Sequence, residues 1–268
     1  MKVSRSLLLA ALIIVVSSAG LRLGYEARKT RVGTRVLFMG NSFTFVNNLP
    51  AVFAALASAN GFPVATDMLV RSGAALTDRI ADTSLPRLLE KQHYDYVVLQ
   101  ERAGAVLCGQ PHEKGSADPC GLSRQAHRQS ADLARAHGAE PIVLGTYASA
   151  ELAQAMQTHE SFLAREVGAT YIPIAERLVR AMQQAPELNW LAADGGHPGH
   201  DLTLLDAIAL HQAIFRAPPK VGVVRVRGPI YDISTAIFTL DWRQVPAAAN
   251  EYTYDEQRVA RVITLASQ

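Results

Sequence analysis

The stretch VLFMGNSFTFVNNLP, residues 36–50, runs from four apolar residues straight into Gly-Asn-Ser and then into a helix-like segment. A strand that stops at Gly40, with a helix starting near Ser42, sets a hydroxyl at the carboxyl edge of a sheet. Ligands of open α/β sheets bind at that edge. The plainer role for Ser42 or Asn41 is to cap the helix that follows. The rest of the chain decides between the two.

Working outward, short apolar runs alternate with longer amphipathic ones. TRVLFM reads as a first strand, and the spacing predicts a helix over residues 49–60 closed by Gly61. FPVATDMLV follows as a second strand, then a helix over 85–92 and a buried third strand in YDYVVLQ. A helix over 123–137 closed by Gly138, a strand in EPIVLGTY, a helix over 152–167 closed by Gly168 and a strand in ATYIPI complete the pattern. Parallel neighbours need helical crossovers, so the alternation predicts an α/β fold. We expect a three-layer α/β/α sandwich on a five-stranded parallel, flavodoxin-like sheet. Ser42, Gly73, Gln100 and Tyr147 then fall at the carboxyl ends of the strands. Beyond Pro218 the alternation breaks: VGVVRVRGPIYDISTAIFTL reads as two strand-like pieces, followed by a helix over 255–267. The expected organisation is a leader over residues 1–30, a principal domain over 31–217 and an extension over 218–268 packed on that domain.

With 268 residues, 49% of them hydrophobic, the chain is long enough for one sizeable core. Its formal net charge is only +2, which gives no reason to expect a nucleic-acid partner or a substrate recognised by bulk charge. MKVSRSLLLAALIIVVSSAG places Lys2 and Arg5 before an apolar run over 7–16 and the small residues Ser17 to Gly20. This is the layout of a secretory signal cleaved near Ala19. An uncleaved membrane anchor, if the run extends to Leu23, and a buried helix are the alternatives. The first two export the domain, to the periplasm or outside the cell, and residues 21–34 then serve as a linker. In an oxidising compartment Cys108 and Cys120, flanking GQPHEKGSADP, are expected to form a disulfide. A metal site built from His112 and both thiols lacks a fourth ligand, so no metal or cofactor is expected.

A serine hydroxyl needs a base and oxyanion donors to act as a nucleophile. NWLAADGGHPGHDLTLLDAIALHQAIF holds Asp194 and His197 three residues apart in a Gly-rich loop before a helix. His197 is a candidate base for Ser42, with Asp194 orienting the imidazole. His200 and Asp201 form a second acid and histidine pair nearby, expected to cap the helix that begins near Leu202. His127, His137, His159 and His211 fall on predicted helices and are expected at the solvent or at helix ends. Tyr147, at the end of the fourth strand, and Trp190, before the Gly-rich loop, are candidate pocket residues. Each has the alternative of simply packing in the core.

MGNSFT after the first strand, Gly73 in VRSGAAL after the second, DYVVLQE at the third and DGGHP before a late helix together resemble the SGNH (GDSL-like) hydrolase superfamily. The block order matches across residues 36–215, in a divergent branch that reads Gly-Asn-Ser. The resemblance implies that Ser42 is the nucleophile, His197 the base and Asp194 the third member of a triad. It also implies oxyanion donors in the backbone N–H groups of Ser42 and Gly73. Members of the superfamily supply a further donor from an asparagine in a Gly-x-Asn block, where this chain reads Leu99, Gln100, Glu101. Gln100 carries the same amide and is assigned that role, with Asn41 and Arg102 as substitutes. The implied activity is an exported serine esterase acting on small-molecule or carbohydrate acyl esters, short acyl groups first. A non-catalytic binding or assembly module on the same scaffold and an acyltransferase using the same residues are the alternatives.

Overall fold

The computed structural model describes residues 33–108 and 118–267. The leader, with its signal, anchor and buried-helix readings, and His112 lie outside the described residues. The five strands β1 (Thr34–Gly40), β2 (Val64–Val70), β3 (Tyr96–Leu99), β4 (Glu140–Leu144) and β5 (Thr170–Ile172) form one parallel sheet in the order β2-β1-β3-β4-β5. This is the flavodoxin-like order expected from the alternation.

The sheet separates two apolar layers because strand side chains alternate between faces. Val36, Phe38, Val98, Ile142 and Leu144 pack on one side with α2 (Leu49–Ala59) and α8 (His200–Phe215). Leu37, Met39, Val97 and Leu99 pack on the other with α3 (Leu76–Ala81), α4 (Ser84–Lys91) and α5 (Pro119–Ala136). The remaining sandwich helices are α1 (Ser42–Phe45), α6 (Ala153–Glu166) and α7 (Ala175–Gln184). The sequence pattern had not marked α3 or α7. Both are short, and α7 packs only part of its length, through Ala175, Leu178 and Ala181.

Beyond Phe215 the chain adds β6 (Val224–Ile230), β7 (Ala249–Tyr254) and α9 (Glu256–Ala266). Val224, Val226, Tyr231, Ile237, Tyr254, Val259 and Val262 join the same core as the first sheet layer. One expectation is corrected here. Of the two strand-like pieces only the first is a strand, and it pairs with β7, an antiparallel strand almost twenty residues on. Residues 231–240 are irregular because the Asp232 carboxylate accepts from the Ser234 amide and hydroxyl, which turns the chain.

With this segment in place, α8 is covered on nearly every side, including Asp201, Thr203, Asp206 and His211. A helix that is buried all round is one with neighbours all round. His211, on this helix, is therefore 1% exposed rather than solvent-facing, and His127, on the inward face of α5, is 1% exposed as well. His127 Nδ1 lies 2.8 Å from the Ser123 carbonyl, and His211 Nδ1 lies 3.0 Å from that of Ala217. Burial lowers the basicity of both. His137 caps the end of α5 and His159 is half-buried. Cys108 and Cys120 are joined in a disulfide between the end of the β3 loop and the start of α5, which removes both thiols as metal ligands. No helix among the described residues is long and apolar enough to cross a membrane.

Candidate active site

The end of β1 sets the position of Ser42. A Cβ on Gly40 would lie 2.2 Å from Thr44 Oγ1 and 3.3 Å from the Gln100 carbonyl, so only glycine allows α1 to fold back this tightly. Asn41 then caps α1, its Oδ1 accepting from the Phe43 amide at 3.0 Å. Its Nδ2 donates to the Ala74 carbonyl at 3.1 Å. An aspartate could make the first of these bonds but not the second, because a carboxylate only accepts. Asn41 is 3% exposed, so it ties the Gly73 loop to α1 instead of lining a pocket.

Ser42 opens α1 with its side chain half-buried. His197 Nε2 lies 2.9 Å from Ser42 Oγ, and His197 Nδ1 lies 2.5 Å from Asp194 Oδ2. The other oxygen of Asp194 accepts from the Gly196 and His197 amides, each at 3.0 Å. These bonds, the imidazole first, hold the Asp194 carboxyl well below the usual carboxylate range. Three residues from two distant parts of the sequence thus form one hydrogen-bonded chain. The loop carrying two of them is closed by the Ala192 amide on the His197 carbonyl at 2.9 Å and the Gly199 amide on the Trp190 carbonyl at 2.8 Å.

Gly73 is exposed and holds φ +66°, a left-handed conformation that glycine takes without strain. Among the described residues, neither the Ser42 nor the Gly73 N–H has a hydrogen-bond acceptor. Two amides at the sheet edge are therefore unspent. The Gln100 side chain departs from its expected place. It is 2% exposed, its Oε1 accepts from the Thr44 hydroxyl at 2.6 Å, and its Nε2 is shielded without a partner among the described residues. It lies beneath α1 and does not open toward incoming substrate. Arg102 is exposed at the same strand end.

Glu101, which the sequence reading passed over, holds this edge together from behind. Its carboxylate is buried and accepts from the Leu76 amide (3.1 Å), the Arg102 amide (2.8 Å) and the Ser123 hydroxyl (2.8 Å). It thereby joins the loops after β2 and β3 to α5. Glu160 does the same after β4, accepting from the Thr146 amide and hydroxyl at 2.8 Å and from the Tyr171 hydroxyl at 2.9 Å. Burial pushes its carboxyl up to about 7.

Tyr147 stacks on Phe43, ring centroids 4.7 Å apart, and the Phe43 and His197 rings meet nearly perpendicular, centroids 6.1 Å apart. Tyr147 also helps to line a cavity of about 520 Å³ with Ala150, Leu178, Val179, Met182, Leu191 and Gly195, an apolar wall that reaches the base loop. Trp190 takes the alternative role: it is buried, and its Nε1 donates to the Ala185 carbonyl at 2.7 Å, anchoring the base loop. His200 and Asp201 do not cap α8 either. Gly199 occupies the cap, and Asp201 is a buried partner of Arg258.

No family model matches the chain, and no curated protein matches it in sequence. Solved structures do match. A DUF4886 family protein from Bacteroides uniformis superposes with a TM-score of 0.57 at 12% identity, over 88% of this chain and 93% of its own. The acetyl xylan esterase AlAXEase gives 0.54 at 14%, over 67% and 99%. A protein described as a GDSL-like lipase from Parabacteroides merdae gives 0.51 at 12%, over 70% and 99%. A match over 88% of the chain requires residues beyond Phe215, whereas the two shorter matches are the length of the sandwich alone. At these identities the likeness is one of fold alone, an α/β/α sandwich on a five-stranded parallel sheet that this chain shares with a GDSL-like lipase and an acetyl xylan esterase.

Proposed function

We propose that this protein is an exported serine esterase that cleaves acyl esters through an acyl-serine intermediate. The observation that carries the reading is the continuous chain from Ser42 Oγ through His197 to Asp194, beside two unspent backbone donors. Ser42 Oγ attacks the ester carbonyl while His197 Nε2 takes its proton. The Ser42 and Gly73 N–H groups receive the oxyanion, and Asp194 stabilises the imidazolium. Collapse breaks the bond to the alcohol, which leaves with the proton held by His197. Water, deprotonated by the same nitrogen, then releases the acid and restores Ser42. The disulfide supports the exported part of the reading, since such bonds persist in oxidising compartments.

Short acyl esters, including acetyl groups on carbohydrate, are the first substrates to try, and the fold shared with an acetyl xylan esterase supports them. The apolar cavity supports a second reading, longer acyl or lipid esters, because an acetyl group fills little of about 520 Å³. Hydrolysis of para-nitrophenyl acetate and longer acyl homologues, with Ser42→Ala as control, tests both. Turnover that vanishes in Ser42→Ala and follows chain length supports the esterase and sorts its substrates. A folded wild type with no turnover on any of them sinks it in favour of a binding module.

A further inference from the structure

The segment after Phe215 grips each of the three loops that make the site. On the oxyanion side, the Ser72 amide donates to the Ile237 carbonyl at 2.8 Å and the Ile237 amide donates to Ser72 Oγ at 2.9 Å, next to Gly73. Below α1, the Asn47 amide donates to the Tyr231 carbonyl at 2.8 Å, and Asn47 Nδ2 donates to the Pro198 carbonyl at 2.8 Å, one residue past His197. Asn48 Nδ2 donates to the Pro229 carbonyl at 2.7 Å.

At the base loop the grip is ionic. Arg258 in α9 donates from Nε and Nη2 to the two oxygens of Asp201 at 2.5 and 2.8 Å. Asp201 also accepts from the Asn189 amide at 2.6 Å, while Asn189 Oδ1 accepts from the His200 amide at 2.7 Å. The two stems of the loop are thus bound to each other at the place where Arg258 holds them. The Tyr254 hydroxyl adds a bond to the His200 carbonyl at 3.1 Å, and the His200 ring lies flat on Tyr252 at 3.7 Å.

We propose that this segment is part of the catalytic apparatus: Arg258 and Tyr254 are positioning residues that fix the base loop, and Ile237 fixes the oxyanion loop, so that His197 and the Gly73 amide face one another across Ser42. The proposal rests on the serine-esterase reading above. Covering α8 needs only apolar packing, which Val224, Val226, Val259 and Val262 already provide. A buried ion pair is a poor device for covering a helix, because its desolvation offsets most of its attraction, but it is a good device for fixing one geometry. The bonds within the base loop set its internal shape but do not fix its place relative to Ser42. The loop contains Gly195 and Gly196, and the Asp194 and His197 side chains are 35% and 29% exposed. A displacement of about 1 Å in such a group costs about a hundredfold in rate.

The test compares Arg258→Met, Arg258→Lys and Tyr254→Phe in the full chain, with Arg225→Ala on the exposed face of β6 as control. Three readouts are taken: kcat and KM on para-nitrophenyl acetate, the low-field proton resonance of His197 Nδ1–H, and amide hydrogen exchange over residues 192–197. We expect kcat in Arg258→Met to fall at least about tenfold with KM within about twofold, part of it recovered in Arg258→Lys, and a smaller fall in Tyr254→Phe. The His197 proton should shift or broaden and the loop should exchange faster, while Arg225→Ala matches wild type. If Arg258→Met does not fold, Arg258→Lys and Tyr254→Phe decide. Folded variants that keep kcat within about twofold, with the His197 proton and loop exchange unchanged, overturn the proposal. A wild type without esterase activity removes the esterase reading alone, because the proton and exchange measurements still report whether Arg258 fixes the loop.

Discussion

Replacing Asp194 with asparagine probes the hydrogen-bonded chain at its outer end. Asp194 divides its oxygens, one taking two backbone amides and the other the imidazole. Asparagine keeps its carbonyl oxygen on the two amides only by turning its NH2 toward His197. The imidazole must then accept at Nδ1 and carry its proton on Nε2, which presents Ser42 with a donor in place of a base. The variant also loses the carboxylate that stabilises the imidazolium. Unit charges about 4 Å apart attract by about 1 kcal/mol in water and about 4 kcal/mol near a protein surface. Both side chains are about one-third exposed, which sets this site between those limits. A loss of about 2 to 3 kcal/mol lowers the rate by about 30-fold to 150-fold, and the wrong tautomer multiplies it. We expect kcat to fall about a thousandfold in all, with KM within about threefold, in steady-state hydrolysis of para-nitrophenyl acetate. A folded Asp194→Asn protein that keeps more than about a tenth of wild-type kcat refutes the assignment of Asp194 to the triad.

Glu101→Ala leaves the buried Leu76 amide, the half-buried Arg102 amide and the Ser123 hydroxyl without their acceptor and should destabilise the fold by about 2 kcal/mol in urea denaturation; an unchanged midpoint counts against the role given to this carboxylate. Glu160 has a folded-state value raised to about 7 from 4.5, so the stability it adds is complete below 4.5 and lost as pH rises to about 7. That loss amounts to at most about 3 kcal/mol and is flat above the window. The difference in unfolding free energy between wild type and Glu160→Gln should carry this slope, and a flat difference removes the account. Val179→Phe narrows the apolar cavity and should slow octanoyl-ester hydrolysis while sparing the acetyl ester; equal effects on the two esters show that the cavity takes no acyl chain.

The sheet was legible because its strands are apolar, short and separated by helices with glycine stops, all of them local signals. Ser42 and the Asp194 and His197 pair were legible because both sit where local patterns change, at the end of a strand and before a helix. What remained hidden depends on distant partners. Asp201 looked like a helix cap, and only Arg258, fifty-seven residues on, makes it a buried ion. His127 and His211 looked exposed because their helices carry polar residues, while the elements that cover them come from elsewhere in the chain. Gln100 had the right chemistry, but a hydroxyl one turn into α1 claims its oxygen and draws its amide under the helix. The strand β7 escaped notice because five of its six residues are exposed or half-buried and leave no apolar run.

The order of synthesis gives the Arg258–Asp201 pair a further meaning. A nascent chain that has emerged as far as His197 already carries the serine, the acid and the histidine, but the arginine that secures their loop arrives some sixty residues later. Until then Asp201 is a carboxylate without its cation, and the loop stems are joined only to each other through Asn189 and to Asn47. In the esterase reading, the loop that carries the base therefore gains its ionic tie only after Arg258 has been made, well after the last member of the proposed triad appears.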